Sequence, residues 1–316
     1  MKKLIYFALT IISLGLTTSC TSDDNAMDKG TTTNPDTSEL KTKVLEQKVD
    51  NYNIVIYSNV KEFYAPSTTP ILVEFTDVDN PNNKDFSDAA MSILMHMTMN
   101  NGHKMSHSAP MLQLTPVKGS TNKFQGEIMF SMAGMDLEKN YWEITLNAKN
   151  KEVKIATKVK TTVKNGIFYD RNNIDSIQGS DRKTLETFNV DGVKHFAAFH
   201  LSNKYKVGNN DIAVSLYKKG DNMGMTFPEV DNLIVTIDPR MPDMVNHGVL
   251  EGIITLKYNT NTKQYEGKLP LSMTGYWFLN LVIKNAAGEI IAGQPVGKDS
   301  DGKETVNGDK FLDLIF

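Results

Sequence analysis

The chain has 316 residues, of which 40% are hydrophobic and 22% are charged, and its formal net charge is −3. This charge excludes the basic surface that nucleic-acid binding requires, and the acidic excess is too small to select a cationic partner. The length suggests two domains. The single cysteine, Cys20, excludes a disulfide and leaves any folded domain without thiolate ligands.

The N-terminus has the pattern of a secretory signal. Lys2 and Lys3 precede an apolar stretch, residues 4–16, which is too short for a membrane-spanning helix and is followed by polar residues. Residues 16–20 resemble a bacterial lipoprotein signal, with Thr17 where Leu is usual. The resemblance implies that residues 1–19 form a signal peptide that is removed, and that Cys20 is then lipidated.

The residues after Cys20 extend this resemblance. Residues 21–25, Thr-Ser-Asp-Asp-Asn, resemble the surface-export signal of Bacteroidetes lipoproteins. We therefore expect an outer membrane lipoprotein in the cell envelope of a Gram-negative bacterium, held at the membrane by acyl chains on Cys20. The pattern leaves open whether the protein faces the periplasm or the outer surface. Residues 20–45 are predicted to be a flexible tether because they are mostly polar.

The rest of the chain contains an internal repeat. When the sequence is shifted by 141 residues, several segments align without a gap. The aligned segments are 70–75 with 211–216, 124–126 with 265–267, and 130–134 with 271–275. A period of this length suits two whole domains rather than a solenoid. We therefore predict a first domain at residues 46–163 and a second domain at residues 164–316.

Each copy has the pattern of β-structure. Short apolar or alternating runs recur between turn-forming residues, and amphipathic helices are missing from the pattern. The predicted strands are 54–57, 71–75, 126–130 and 142–146 in the first copy, and 195–200, 212–217, 233–237, 252–258 and 276–283 in the second. This spacing predicts an all-β fold with two tandem immunoglobulin-like β-sandwich domains related by internal duplication. Residues 163–183 are predicted to connect the two domains.

The closing segment of each copy resembles the YtkA-like/FixH-related module. That family carries a y-x-G strand and then a pM-x-G-x-W turn. This chain has Phe-Gln-Gly and then Ser-Met-Ala-Gly in residues 124–134, and Tyr-Glu-Gly and then Ser-Met-Thr-Gly in residues 265–275. Residues 241–247 match a Met-Pro-x-Met stretch followed by His that is frequent in the family. The resemblance implies small extracytoplasmic β-sandwiches that are linked to copper handling or cytochrome oxidase assembly.

The segment from Met91 to Met111 is the part of the sequence that proposes a chemistry. Nine of the 16 methionines fall between Met91 and Met135, and three histidines lie among them. Thioether and imidazole groups suit a soft metal such as Cu(I). In a strand, however, alternate residues share one face, and methionine is a competent core filler. One apolar strand face would then consist of Met91, Ile93, Met95, Met97 and Met99.

Residues 103–111 are predicted to be a loop, where methionine and histidine would have no packing role. We therefore expect copper, as Cu(I), to bind in the first copy. The candidate ligands there are His96, Met97, His103, Met105, His107 and Met111. The second copy offers a smaller set, which consists of Met241, Met244 and His247. Zinc is the rival metal, with His96, His103 and His107 as ligands, but it would leave the methionines unexplained.

Four further methionines have less specific patterns. Met223 and Met225 lie in a predicted loop that could approach the second set of ligands. Met132 and Met273 recur at the same position of the repeat, and we predict that both pack in the cores beside the tryptophan of each copy. His195 and His200 lie in a strand pattern and are interpreted as structural residues.

The motifs of common enzymes are missing from the sequence. It contains no phosphate-binding glycine loop and no Gly-x-Ser-x-Gly motif, so we expect no enzyme. The predicted function is a lipid-anchored extracytoplasmic protein that binds a soft metal and exchanges it with a metal-transfer or efflux partner protein. The alternative is a surface-exposed β-sandwich module that binds a protein or a glycan without metal, through an adaptable Met-rich surface.

Overall fold

The computed structural model describes residues 37–151, 153–170, 182–200, 204–221 and 223–316. The expected signal peptide, Cys20 and the tether as far as residue 36 lie outside the described residues. The described chain is dominated by strands, and its helices are the four-residue α1 (Ile167–Asp170) and the 3-10 turns Thr37–Glu39, Lys149–Lys151 and Pro242–Met244. Within these ranges no helix has the length and apolarity that a membrane span needs. The predicted all-β fold is confirmed.

The first half of the chain forms a β-sandwich. In chain order its strands are β1 (Thr42–Val49), β2 (Tyr52–Ser58), β3 (Phe63–Ala65), β4 (Ser67–Asp77), β5 (Ala89–Thr98), β6 (Lys104–His107), β7 (Met111–Pro116), β8 (Lys123–Phe130), β9 (Asn140–Ala148), β10 (Val153–Val159) and β11 (Thr161–Val163). One sheet has the order β1-β2-β4-β8-β7 and the other has the order β10-β9-β5-β6. A short parallel pair, β3 with β11, stands beside them.

The second half repeats this arrangement with additions. Its strands are β12 (Leu185–Val190), β13 (Val193–His200), β14 (Gly208–Lys218), β15 (Ile234–Met241), β16 (His247–Gly248), β17 (Ile254–Asn259), β18 (Gln264–Leu271), β19 (Tyr276–Lys284), β20 (Ile290–Ala292), β21 (Gly297–Lys298), β22 (Glu304–Thr305) and β23 (Phe311–Ile315). Strand β17 pairs with both β18 and β15, so that the two faces join into one ten-stranded sheet.

The two halves have the same strand order. The order β1-β2-β4-β8-β7 corresponds to β12-β13-β14-β18-β17, and β10-β9-β5-β6 corresponds to β20-β19-β15-β16. Strands β4 and β14 begin and end 141 residues apart, as do β8 and β18. This offset is the one that aligns the two copies in the sequence. A common origin of the two halves stays a prediction.

The alternation of apolar residues explains the core of each sandwich. Along β9 the buried positions include Trp142, Ile144 and Leu146, with half-buried residues between them. Because side chains alternate across a strand, one face of β9 enters the core and the other faces outward. Trp277 has the same place in the second core. Such aromatic groups dominate the apolar area that a core removes from water.

Strands β4 and β8 depart from this alternation because both of their faces are covered. Their inner residues fill the first core, while Met129 on the outer face of β8 packs against Leu185 and Phe196 of the second half. Thr68 on β4 donates two hydrogen bonds to Thr184, from its backbone N–H to the hydroxyl oxygen at 2.8 Å and from its hydroxyl to the carbonyl oxygen at 3.1 Å. The two sandwiches therefore contact each other through the outer faces of β4 and β8 on one side and of β13 and β14 on the other, and we call this contact the sandwich interface.

A polar chain crosses the sandwich interface. His200 on β13 contacts Glu127 on β8 through Nδ1, at 2.5 Å, and contacts Ser215 Oγ on β14 through Nε2, at 2.7 Å. All three side chains are buried. Ser215, His200 and Glu127 thus follow one another in the order of the nucleophile, the base and the orienting carboxylate of a catalytic triad. Because Ser215 is only 1% exposed, a substrate could not reach its hydroxyl, and we interpret the chain as a structural link.

Two expectations about boundaries change. The tether was expected to reach residue 45, but β1 begins at Thr42 and its residues Val44 and Leu45 pack against the first core. The connection expected at residues 163–183 begins at the end of β11 and contains α1, while residues 171–181 lie outside the described part of the chain.

The interface link generates a stability prediction. Glu127→Leu should lower the free energy of unfolding by about 3 kcal/mol, because it leaves a buried ring nitrogen of His200 without an acceptor. The double variant Glu127→Leu/His200→Leu should lose clearly less than the sum of the two single variants, since it removes both polar partners. Urea denaturation measures each value. Asp211→Asn, which breaks an exposed contact with Lys268, is the control and should change stability by less than about 1 kcal/mol. Additive losses would contradict a direct link.

Candidate soft-metal site

The Met-rich segment forms a β-hairpin at the edge of the first sandwich. Strand β6 pairs antiparallel with β5, with Met105 opposite Met97 and His107 opposite Met95. The loop predicted for residues 103–111 is therefore wrong, because residues 104–107 form the edge strand of the sheet and Met111 begins β7. Pairing with β5 gives the backbone polar groups of this polar segment their hydrogen-bond partners, which a sequence pattern of side chains does not reveal.

The apolar face predicted for residues 91–99 is confirmed over most of its length. Met91, Ile93 and Met95 are buried in the first core, and Met97 is half-buried against it. Met99 is 50% exposed, because β5 ends at Thr98 and Met99 lies in the turn that leads to His103. These methionines are therefore core residues at one end of the strand and accessible residues at the other.

His96 lies on the opposite face of the hairpin from Met97. Its Nδ1 is 3.2 Å from Ser106 Oγ, and its ring stacks on Tyr141 with centroids 4.9 Å apart. Because neighbouring residues of a strand point to opposite faces, His96 cannot share one metal ion with Met97, Met105 or His107. The structure thus separates this candidate from the others.

His107 has the hydrogen bonding of a metal ligand. Its Nδ1 is 2.8 Å from the carbonyl oxygen of Ser108. A carbonyl oxygen can only accept, so Nδ1 carries the hydrogen and donates it, which leaves a lone pair on Nε2. Metal-bound histidines almost always donate their other ring N–H in this way. The lone pair of Nε2 faces the Sδ atom of Met132 at 3.1 Å, and a thioether has no hydrogen to give.

Trp142 positions both members of this pair. Its Nε1–H donates to the carbonyl oxygen of Met132 at 2.9 Å, and its ring lies edge-on to the His107 ring with centroids 5.8 Å apart. The prediction that Met132 packs in the core is wrong, because its side chain is 37% exposed and its sulfur faces His107. Met273, at the same position of the second copy, does pack against the second core.

The electrostatic environment favours the neutral form of the His107 ring by lowering its pKa. Burial lowers the pKa of His107 most, the positive charges of Lys194 and Lys219 lower it further, and the hydrogen bond to Ser108 opposes them. Burial and Lys219 also lower the pKa of Lys194, whose ammonium lies 5.4 Å from the centre of the Phe196 ring. A neutral imidazole is the form that binds a metal.

A cavity of about 380 Å³ opens beside His107 and has walls from both sandwiches. The first sandwich contributes Met105 and His107, and the second contributes Met223 and Met225. The sequence suggested that these two loop methionines approach the candidate ligands of the second copy. They approach those of the first copy instead. We call His107, Met132, Met105, Met223 and Met225 the sulfur-rich site. Sequence reasoning did not place Met132, Met223 and Met225 here, although the Met-Gly-Met spacing and the repeat position were visible signals.

The structure does not bring the remaining first-copy candidates to this site. His103 is exposed in the turn before β6, four residues and therefore about 13 Å of extended chain from His107. Met111 is half-buried on β7 opposite Ile128 and packs against the first core. It also lines a neighbouring cavity that contains Met225.

The candidates of the second copy are only partly together. Met241 is buried at the end of β15, where it packs in the second core opposite His247 on β16. His247 and Met244 are exposed. His247 thus has the same position relative to a buried methionine as His107 has relative to Met95. In the described part of the chain, no group of three or more His, Cys, Asp or Glu residues is arranged to hold a metal ion.

Comparisons with known proteins bear on the fold only weakly. No family model matches the chain, and no curated protein matches it. Among solved structures, the chain is similar to a DUF4785 family protein from Legionella pneumophila subsp. pneumophila str. Philadelphia 1, with a TM-score of 0.23 and 9% sequence identity over 82% of this chain. The chain spans 58% of the length of that protein. A likeness at this level carries no argument about family or function.

The charges around His107 generate a titration prediction. In the metal-free protein, the pKa of His107 should lie below its ordinary value, and Lys194→Gln/Lys219→Gln should raise it, because the variant removes two positive charges that oppose protonation. Because the pKa of His107 is lower in the folded protein than in the unfolded chain, the folded protein loses stability as the pH falls below the pKa of the unfolded chain. The double variant should weaken this loss of stability in acid. NMR of the ring carbons measures the midpoint. An unchanged or lower midpoint in the variant would contradict the assignment.

Proposed function

We propose that this chain is a lipid-anchored protein of the bacterial cell envelope that binds a soft metal, Cu(I), at the sulfur-rich site. One observation carries the proposal, namely that the lone pair of His107 Nε2 faces the Met132 sulfur at 3.1 Å while Nδ1–H is held by a backbone carbonyl. Neither atom has a hydrogen to donate to the other in this tautomer, so the lone pairs of both are available to one soft cation that binds beside the pair. A neutral imidazole and a thioether are ligands that a soft monovalent ion accepts.

Cu(I) fits the site better than zinc. The zinc reading needs His96, His103 and His107 to converge, but His96 lies on the other face of the hairpin and His103 lies beyond the end of β6. Structural zinc sites are closed by cysteine, histidine or carboxylate ligands, whereas the groups near His107 are thioethers. The ligand set therefore favours copper.

Lys194 and Lys219 oppose any cation at the site, and the size of this effect depends on the charge of the ion. Electrostatic repulsion is proportional to charge, so a divalent ion suffers twice the repulsion that Cu(I) suffers. The lysines also lower the pKa of His107, which removes the competing proton. Together these effects support a monovalent soft ion over zinc or Cu(II).

The surrounding features are consistent with a protein that hands metal on. Met223 is 73% exposed, so a partner could approach the site from solvent. The lipoprotein signal supports an anchor at Cys20, and the partner would be a metal-transfer or efflux protein. The resemblance of both copies to YtkA-like/FixH-related modules supports copper handling, and the shared strand order of the two halves supports an origin by duplication.

One observation favours the alternative function. Met105, Met223 and Met225 expose apolar side chains around one cavity that Phe196 and Phe227 also line. This is the kind of adaptable surface that binds apolar peptide side chains. This module would bind a protein without metal. Binding of a partner that is unaffected by a Cu(I) chelator would favour it.

The proposal predicts which residues hold the metal. The purified protein should compete with a chromogenic chelator for one Cu(I) per chain under reducing conditions. His107→Ala and Met132→Leu should each weaken binding by at least about tenfold, since each removes a ligand. His103→Ala is the matched control and should leave affinity within about twofold. No Cu(I) transfer from the chelator to the wild-type protein would refute the proposal.

The charge argument predicts how selectivity changes. If Lys194→Gln/Lys219→Gln strengthens Cu(I) binding by some factor, it should strengthen Zn²⁺ binding by about the square of that factor, because the removed repulsion is doubled. Competition titrations at a pH above the titration range of His107 measure both ions. Lys268→Gln, which alters an exposed lysine of the second sandwich, is the control. Equal gains for the two ions would mean that the lysines do not determine selectivity.

A further inference from the structure

The loop of residues 223–226 is fixed against the hairpin of β5 and β6. The backbone N–H of Ser108 donates to the carbonyl oxygen of Gly224 at 2.8 Å, which joins the end of β6 to the second sandwich. Gly224 has φ +68°, and a Cβ atom there would lie 3.2 Å from the Cβ atom of His107. The close approach and the left-handed backbone both favour glycine at this position. The loop therefore contacts the first sandwich directly at the ligand His107.

Asp221 holds the loop in shape. Its carboxylate accepts hydrogen bonds from the backbone N–H of Met225 and from the hydroxyl of Thr226, each at 2.9 Å. Its backbone carbonyl accepts from Gly224 N–H at 3.3 Å. Met223 and Met225, on either side of Gly224, are thus presented from an ordered turn at the mouth of the cavity.

Core packing does not account for these two methionines. Met223 is 73% exposed, Met225 is 41% exposed, and neither belongs to the hydrophobic cores of the two sandwiches. The pair formed by His107 and Met132 supplies two ligands, whereas soft-metal sites in proteins commonly use three or four. The groups that can complete the set around the same cavity are the thioethers of Met105, Met223 and Met225.

We propose that the second sandwich completes the metal site with Met223 and Met225, so that one Cu(I) ion is held between the two sandwiches. This inference rests on the proposed function. A metal that binds only the joined arrangement stabilises that arrangement by mass action. Metal loading would therefore tighten the contact between β6 and the loop of residues 223–226. Exposure of Met223 leaves this ligand as the one that a partner's sulfur could displace, which would make it the exit point for transfer.

The test compares Met223→Leu/Met225→Leu with Met244→Leu in the purified full chain, with Cu(I) alone as the probe. Leucine keeps the apolar volume and removes the sulfur, so folding should be preserved. Met244 is 52% exposed, between Met225 and Met223, and it belongs to the second sandwich but does not line the cavity, which makes it the matched control. Chelator competition gives the affinity, X-ray absorption gives the number of sulfur ligands, and hydrogen exchange follows the amides of residues 219–227.

The double variant should bind Cu(I) at least about tenfold more weakly than the wild type, with fewer sulfur ligands. Amides of residues 219–227 should gain protection when Cu(I) is added to the wild type or to Met244→Leu, but not when it is added to the double variant. If the wild type binds Cu(I) and the double variant keeps its affinity, sulfur count and protection, the shared site is wrong while the proposed function stands. If the wild type binds no Cu(I), both are wrong.

Discussion

The packing of one sandwich on the other is the constraint on which the site depends. Outer faces of β4 and β8 are apolar or hydrogen-bonded where they meet β13 and β14, and the buried chain Glu127–His200–Ser215 links three strands across the contact. Because a buried polar group must keep its partner, this chain restricts how the two sandwiches can lie against each other. The position of the loop of residues 223–226 against His107 follows from that restriction.

The site itself combines two kinds of order. The first is the regular register of a hairpin, in which His107 extends the same face as the buried Met95 and so stands where the core meets solvent. The second is irregular, because Met132 lies just beyond the end of β8. There the Trp142 Nε1–H donates a hydrogen bond to the Met132 carbonyl oxygen, and the Met132 sulfur faces His107. A soft ion tolerates loose geometry, so such a site does not need the closed ligand shell that zinc requires.

The second half offers a comparison for the site of the first half. His247 is paired with the buried Met241, as His107 is paired with the buried Met95. The carbonyl oxygen of Met273 accepts a hydrogen bond from the indole N–H of Trp277, and the carbonyl oxygen of Met132 accepts one from Trp142. Yet Met273 packs against the core and His247 is exposed. The two halves therefore share a backbone arrangement, and the contact between imidazole and thioether is the one that His107 and Met132 make in the first half.

The sequence by itself determined the β class, most of the strands and the apolar face from Met91 to Met95, because alternation along a strand is a local property. It also gave methionine and histidine as the candidate ligands. It could not reveal that residues 104–107 form an edge strand, since backbone pairing leaves little trace in so short and polar a segment. Only the tertiary structure decided that Met132 faces His107 and that Met223 and Met225 come from the other sandwich. These are contacts between residues 25 or more positions apart, and chain folding rather than sequence spacing sets such distances.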